Sequence, residues 1–480
     1  MSINFANQRF LVLGAGVTGS AVAKSLQARG GIVSIADDNA PDAIKPDAVD
    51  LNNFDSVVIS PGWRQDHPLV TMVLASNLNI LNDIDLAWQI RAEVAPGQKW
   101  LALTGTNGKT TVTTLLHQIV SLAGRESGLI GTIETRIGNE VLVSKRTTPE
   151  SSELQSLAAV MRERHMRNLI MEVSSHSIAL DRVRGSHFAV VGFTNLSQDH
   201  LDFHQDMESY FKAKASLFTL EYADQAFINI DGDFGLRLFN ECGIPATSLS
   251  RNNPKASWHF TSITPTIGGT SFTARGAGGI LIESSTPLRG YFNLDNILLV
   301  LAIAIECGID PLDCAALIPR LKGAPGRMES VECGQDFIAL VDYAHTPDAV
   351  EKVLSSLRNP TIKRVIGVLG CGGDRDASKR PLMGRALYEG CDIAIFTSDN
   401  PRSEDPEAIL KEMTSSISLD AKTKILTDRR AAIAHAVSLA QPGDVVIVLG
   451  KGHEKGQEIK GEKLPFSDQE ELRRAIEVKS

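Results

Sequence analysis

A chain of 480 residues with 43% hydrophobic side chains is long enough for about three domains of roughly 150 residues, each with its own core. Its net charge of -9 argues against a general nucleic-acid binder and leaves room for a local basic groove that takes an anionic substrate. Six cysteines without a C-x-x-C pair suggest neither a zinc site nor a disulfide framework, and with no apolar signal core and no apolar run of about eighteen residues a cytosolic protein without a membrane partner is expected.

From Arg9 the run RFLVLG, a glycine turn, a helical stretch to Ala28 and the run GIVSIADD predict strand, helix and strand of a parallel sheet. Gly14, Gly16 and Gly19 form a G-x-G-x-x-G between the first strand and the helix, and Asp37 and Asp38 close the second strand, where a carboxylate can hold a ribose hydroxyl. Alone, this pattern fits an NAD-dependent oxidoreductase. With a phosphate loop elsewhere in the chain, it fits a sheet that holds the nucleotide part of a substrate.

Pro96 and Gly97 mark a boundary before KWLALT, a strand that delivers the chain to G-T-N-G-K-T-T at the start of a helix ended by Gly124. Leu103 stands six places before Lys109, where the usual phosphate loop has its first glycine, so the loop is a shortened one. Free N–H groups and the helix dipole can hold phosphate oxygens there, Lys109 would neutralise the β and γ phosphates, and the Thr110 hydroxyl would ligate magnesium. A plain glycine turn is the alternative.

Glu172 ends the apolar strand LIMEV, within reach of a metal beside that loop. FTNLSQDHLDFH then clusters Asn195, Asp199, His200, Asp202 and His204, and FKAKASLF adds Lys212 and Lys214. One at a time, these residues also fit helix caps, a core histidine and solvated lysines. Residues 322–331, KGAPGRMESV, read as a second linker. After it, strands in FIALVDYAH, VIGVLGCGG, IAIFTSDNP and VVIVLGKGHE alternate with helices from Pro347 and near Gly384. The expected architecture is α/β in three domains: a Rossmann-like domain at 1–95, a P-loop-type ATPase domain with a mostly parallel sheet at 96–325, and a Rossmann-like domain at 326–480.

TGTNGKTT, TTPESSELQ, MEVSSHSIALDRV, FTNLSQDHLDFH, NLDN, APGRME, VDYAHTPDAV, GCGGDRDASKRPLMG, TSDNPR and GKGHE, in this order, resemble the Mur ligase family, which adds amino acids to the peptidoglycan precursor. They cover roughly residues 99–468 and resemble most the branch that adds the third residue. RFLVLGAGVTGSAVAKSL, ISPG and NDIDL instead resemble the first domain of the branch that adds D-glutamate.

The resemblance implies an ATP-dependent ligase. A carboxylate of UDP-MurNAc-L-Ala-D-Glu attacks the γ-phosphate, and the amino group of the incoming amino acid displaces phosphate from the acyl phosphate. The partners implied are the UDP-muramoyl peptide, ATP and a free amino acid. Meso-diaminopimelate is favoured; L-lysine, L-ornithine, or glutamate added to UDP-MurNAc-L-Ala are alternatives. Three sequential domains with a site between them predict a monomer.

Residue by residue, the resemblance implies ATP contacts from Gly105, Thr106, Asn107, Gly108, Lys109, Thr110, Thr111, Asn195, Asn296, Arg327 and Asp342. It implies one magnesium on Thr110 and Glu172 and a second served by His200 and a carbamylated Lys214, with Lys109, Lys214 and His200 in the catalytic step. Thr147, Thr148, Ser174 and Arg182 would hold the muramoyl dipeptide, and Gly14 and Asp37 the uridine end. Arg375, Asp399, Asn400, Pro401, Arg402, Gly450 and Glu454 would form the amino-acid pocket. Arg402 suits the second carboxylate of diaminopimelate, because arginine pairs bidentately with carboxylates; a helix-start turn with an exposed arginine is the alternative.

Overall fold

In a computed structural model, which describes residues 5–60, 62–64, 66–94, 97–266, 269–358 and 362–479, the chain builds three main sheets flanked by helices and one short hairpin. The expected boundary at residues 95 and 96, and Pro61 of ISPG, lie outside the described residues.

The first sheet is parallel, with β1 (Arg9–Leu13), β2 (Ile32–Ala36), β3 (Ser56–Ile59) and β4 (Asn79–Asn82) in the order β2-β1-β3-β4. Helices α1 (Val17–Gln27), α2 (Pro68–Leu74) and α3 (Asp83–Val94) accompany it. Phe10 and Val12 pack with Leu26 and Leu86 on one face, and Leu11 and Leu13 with Leu69 and Val73 on the other. Both faces are thus covered, which is why β1 reads as a continuous apolar run. A Cβ on Gly19 would lie 1.8 Å from the Gly14 carbonyl oxygen, so only glycine lets α1 approach β1 this closely.

The second sheet has eleven strands among the described residues: β5 (Lys99–Thr104), β6 (Ser127–Ile130), β7 (Glu134–Ile137), β8 (Glu140–Val143), β9 (Asn168–Glu172), β10 (Val190–Phe193), β11 (Ala226–Asn229), β12 (Ala246–Ser250), β13 (Trp258–Thr266), β14 (Gly269–Arg275) and β15 (Leu281–Thr286). Strands β13-β12-β11-β10-β5-β9-β6 run parallel, and antiparallel partners extend both edges. The helices are α4 (Lys109–Leu122), α5 (Ser151–Glu163), α6 (Ser175–Ala179), α7 (Leu201–His204), α8 (Met207–Ala215), α9 (Asp233–Glu241) and α10 (Tyr291–Glu306). Leu103, Val112, Leu116, Ile170, Leu299 and Ile303 share one core, which fastens α4 and α10 to the same face of β5 and β9. Trp100, Ala102, Met171 and Phe193 turn to the opposite core. Helix α10 is apolar almost all round because it is buried on nearly every side.

After α11 (Pro311–Leu317), the third sheet takes β16 (Glu329–Ser330), β17 (Ile338–Asp342), β18 (Val365–Leu369), β19 (Ile393–Phe396), β20 (Thr423–Ile425) and β21 (Val445–Leu449), in the order β16-β17-β21-β18-β19-β20. All are parallel except β16. Helices α12 (Pro347–Ser356), α13 (Lys379–Gly390), α14 (Pro406–Thr414), α15 (Arg429–Leu439) and α16 (Asp468–Lys479) cover it. The expected start at Pro347 has a plain cause: Thr346 caps α12 by accepting from the Ala349 N–H, and Pro347 occupies the first turn, where its missing N–H costs nothing. A bidentate pair between Arg429 and Asp468, both fully buried, ties α15 to α16. Among the described residues no helix is long and apolar enough to cross a membrane.

Candidate active site

Strand β5 ends at Thr104 and α4 starts at Lys109, so residues 105–108 turn across the C-terminal edge of the second sheet. Gly105 has φ +144° and a Cβ there would meet the Thr194 Oγ1 at 2.0 Å; Gly108 has φ +89° and a Cβ there would meet the Asn296 Oδ1 at 2.6 Å. Both positions need glycine for conformation and for space. The segment after β10 pins the loop. The Thr106 N–H donates to the Asn195 carbonyl (2.8 Å) and the Asn107 N–H to the Asn195 Oδ1 (3.0 Å). Thr194 donates to the Asn107 carbonyl at 2.6 Å, and the Ser197 N–H donates to the Thr106 Oγ1 at 3.0 Å.

Two lysines, Lys109 half-buried and Lys214 buried, meet at this turn. Lys109 Nζ donates to the Gly105 and Thr106 carbonyls at 2.8 and 3.0 Å, and Lys214 Nζ, from α8, donates to the Gly105 carbonyl at 2.9 Å. Burial, and then the charge of Lys109, push the Lys214 ammonium well below its usual pKa, against the pull of Asp199. Burial also lowers Lys109, with Glu172 acting the other way. Lys214 lies over the Tyr210 ring at 4.7 Å, and the Tyr210 hydroxyl is 3.2 Å from the Thr106 Oγ1. Lys212 is exposed and pairs with Glu208 at 3.6 Å, the solvated alternative for that residue.

Glu172, fully buried at the end of β9, accepts from the Thr110 hydroxyl at 3.0 Å, from the Thr132 N–H at 2.7 Å and from the Thr132 hydroxyl at 3.0 Å. Thr132 in turn lies 3.1 Å from the Thr147 Oγ1. Thr148 donates to the Glu172 carbonyl at 2.9 Å and accepts from the Ser174 N–H at 3.1 Å, and Arg182 pairs with Glu150 at 3.1 Å. Glu172 and the Thr147, Thr148 and Ser174 group therefore share one edge. His200 has φ +54°, lies 3.5 Å from Asp199, and meets the His176 ring edge-on at 4.8 Å; burial lowers its pKa. His204 is buried with its Nε2 2.8 Å from the Ser175 Oγ, and the Asp202 side chain lies outside the described residues. Among the described residues no three acidic, histidine or cysteine side chains form a ready metal cage.

In the third sheet, Asp342 accepts the Met328 and Ala344 N–H groups at 2.7 Å each, and burial raises its pKa while Arg327 lowers it. The Arg327 guanidinium stacks over Tyr343 at 4.5 Å. Gly450, with φ +110°, leaves room for Asp399, whose Oδ2 would be 2.7 Å from a Cβ there. Asn400 donates to Glu454 at 2.9 Å, and Pro401 is buried beside it. Arg402 sits in the left-handed region at φ +52°, donates to the Gly373 carbonyl at 2.6 Å and faces Glu458 at 3.3 Å. A Cβ on Gly372 would lie 3.0 Å from the Arg402 Nη1 and 3.8 Å from the Arg375 Cγ, so two arginines flank this glycine.

Gly14 and Asp37 stand on a different sheet. Gly14 has φ +109°, and a Cβ there would be 3.2 Å from the Trp63 Nε1 and 3.4 Å from the Ser60 Oγ, itself buried and without a partner among the described residues. Asp37 accepts N–H bonds from Ala15 (2.8 Å), Asn39 (2.8 Å) and Ala40 (2.9 Å), which hold its pKa down. These residues surround the β1/β3 switch point, where doubly wound sheets open a crevice for ligands.

Two family patterns match the chain: the Mur ligase middle domain over residues 103–304 and the Mur ligase glutamate ligase domain over residues 326–452. The chain belongs to the Mur ligase family. It is 46% identical over 389 residues to the UDP-N-acetylmuramoyl-L-alanyl-D-glutamate–2,6-diaminopimelate ligase of Streptomyces coelicolor, covering 79% of this chain and 77% of that one. The ligase of the same description from Syntrophomonas wolfei is 42% identical over 374 residues, covering 77% and 76%. A solved structure of a UDP-N-acetylmuramoyl-L-alanyl-D-glutamate–2,6-diaminopimelate ligase superposes over 99% of this chain and 93% of its own with a TM-score of 0.65 at 28% identity.

As a Mur ligase, the protein is an ATP-dependent enzyme of peptidoglycan precursor synthesis. Several side chains at its site escaped the sequence reading: Thr132, Thr194, Ser197, Tyr210 and Lys451. Thr194 and Ser197 stand inside FTNLSQDH, and Lys451 inside GKGHE, but a single hydroxyl or lysine in such a run carries no signal until folding brings its partner.

Proposed function

We propose that the protein joins meso-diaminopimelate to UDP-MurNAc-L-Ala-D-Glu with ATP, through an acyl phosphate. One observation carries the chemistry: the Thr110 hydroxyl of a glycine-bounded helix start meets the buried Glu172 carboxylate at 3.0 Å, beside Lys109 and Lys214. That donor set, few in number and all oxygen, fits magnesium, which keeps most of its shell for water and phosphate. Thr110 and Glu172 would hold the ion, which when bound neutralises charge on the β- and γ-phosphates.

The residues of the chain position the reactants. The N–H groups of residues 109–111 at the start of α4, with Lys109, would hold the phosphates, and Asn195, which takes up the Thr106 and Asn107 N–H groups, keeps the loop in shape. Asn296, whose Oδ1 abuts Gly108, together with Arg327 and Asp342 would bound the nucleotide. Burial favours the neutral amine of Lys214, whose lone pair can add to carbon dioxide with loss of a proton, giving a carbamate beside His200 for a second magnesium. Thr147, Thr148, Ser174 and Arg182 would hold the muramoyl dipeptide, and the crevice of Gly14 and Asp37 the uridine end. Arg402 would receive the second carboxylate of diaminopimelate with Arg375 beside it, and Asp399 and Glu454 an ammonium of the incoming amino acid.

The test is amino-acid-dependent phosphate release from ATP and magnesium, with UDP-MurNAc-L-Ala-D-Glu and UDP-MurNAc-L-Ala each crossed against meso-diaminopimelate, L-lysine, L-ornithine and D-glutamate. Turnover with the dipeptide acceptor and diaminopimelate is expected. Turnover only with UDP-MurNAc-L-Ala and D-glutamate, the reading favoured by the first sheet alone, would overturn it.

A further inference from the structure

Lys451 follows Gly450 at the end of β21, and its side chain is fully buried. Its Nζ donates to the Asn400 Oδ1 at 2.8 Å and to the Glu454 Oε2 at 2.9 Å, and lies 3.5 Å from the Asp399 Oδ1. Asn400 and Asp399 belong to the loop after β19. Strand β18 lies between β19 and β21 in the sheet, so one side chain ties together loops from strands that are not neighbours. Such an ammonium cannot reach a ligand itself. Glu454, whose side chain is 35% exposed, can.

The bonds around Asn400 form a closed set. Its Oδ1 accepts from Lys451 and from the Glu458 N–H at 3.0 Å, while its Nδ2 donates to the Glu454 Oε2 at 2.9 Å. With the amide turned over, its NH2 would face two donors and its oxygen a carboxylate. The lysine, together with the Glu458 N–H and the Glu454 carboxylate, therefore fixes which way the amide points. Both bonds to Glu454 fall on Oε2, so Oε1 is not engaged by them.

We propose that Lys451 is a positioning residue for the amino-acid pocket: its buried ammonium orients the Asn400 amide and the Glu454 carboxylate so that Glu454 can receive the ammonium of the incoming amino acid. This rests on the reading of the loops after β18, β19 and β21 as that pocket. Without Lys451, the Asn400 oxygen keeps only the Glu458 N–H, and Glu454 loses its one charged donor among these bonds. Selectivity for a zwitterionic amino-acid end is then lost, while the phosphate loop on the second sheet is untouched.

The experiment is steady-state phosphate release by wild type, Lys451→Met and Lys451→Gln, each of the three substrates varied in turn, with thermal melts alongside. The KM for the amino acid is expected to rise about tenfold or more in both variants, with kcat and the KM values for ATP and the UDP acceptor within about twofold of wild type, as for loss of a charge-assisted hydrogen bond at one subsite. Lys451→Ala with added n-propylamine should recover part of the lost amino-acid affinity, because the amine refills the vacated channel. An unchanged amino-acid KM, or all three KM values rising in parallel with a lower melting temperature, would overturn the proposal, as would variants too unstable to assay with or without the amine. A wild type that turns over with no amino acid would instead sink the ligase reading itself.

Discussion

Lys109 and Lys214 donate to the same acceptor, the carbonyl oxygen of Gly105, at 2.8 and 2.9 Å. Two ammonium groups on one buried oxygen repel each other, so the arrangement favours one of them being neutral.

Lys214→Met is therefore expected to abolish amino-acid-dependent phosphate release and yet to raise the melting temperature at neutral pH, by the equivalent of about 1–3 kcal/mol, because an apolar side chain removes the cost of burying a lysine that must give up its proton to fold. The folded pKa of Lys214 lies below its unfolded value. The unfolded chain binds more protons in that interval, so wild-type stability climbs as pH rises toward the unfolded pKa. The advantage of the variant should accordingly shrink between pH 7 and pH 10 in calorimetry; a gap that widens with pH would contradict the burial argument.

Glu172→Gln removes the carboxylate that Thr110 and Thr132 share. Turnover should fall about a hundredfold or more, and the magnesium concentration for half-maximal rate should rise, since a neutral amide is a poor ligand for a hard cation. Circular dichroism should show the sheet intact. An unaltered magnesium requirement would remove Glu172 from the metal site.

Trp63 offers a probe of the first sheet. Its indole lies by Gly14 at the switch point and meets His67 edge-on at 4.5 Å. Uridine nucleotides should quench its fluorescence saturably, and Trp63→Ala should raise the KM for the UDP acceptor about tenfold by loss of ring contact, leaving the KM for ATP alone. Quenching that survives in Trp63→Phe would assign the signal to another tryptophan.

Arg402→Ala should raise the KM for meso-diaminopimelate about tenfold or more, the weight of a charge-assisted pair, with little effect on any residual activity with L-lysine, which lacks the second carboxylate. Equal losses with both amino acids would make Arg402 a framework residue held by Gly373 and Glu458.

Much of the fold was legible because local rules and the global sheet agree. RFLVLG, KWLALT and LIMEV read as strands since parallel strands are apolar on both faces, and they form β1, β5 and β9. Less was visible at the edges of the second sheet. Strands β13 to β15 carry polar residues on exposed faces, and β7 and β8 are four residues each, so neither gives a strong period. Asp37 shows a different gap: the spacing pointed to a ribose contact, whereas the fold also engages its carboxylate with three backbone N–H groups.

By itself the sequence determined the chemistry available to this Mur ligase: a shortened phosphate loop, a strand-end glutamate, and the DNPR and GKGHE runs, each written in contiguous residues whose local conformation follows from glycine, caps and apolar runs. Tertiary structure alone decided the partnerships. Thr132 reaches Glu172 across 40 residues, Thr194 reaches Asn107 across 87, and Lys451 reaches Asn400 across 51. Such pairs leave no period or spacing in the chain, because they arise only when parallel strands from distant segments bring their C-terminal ends to one edge of a sheet.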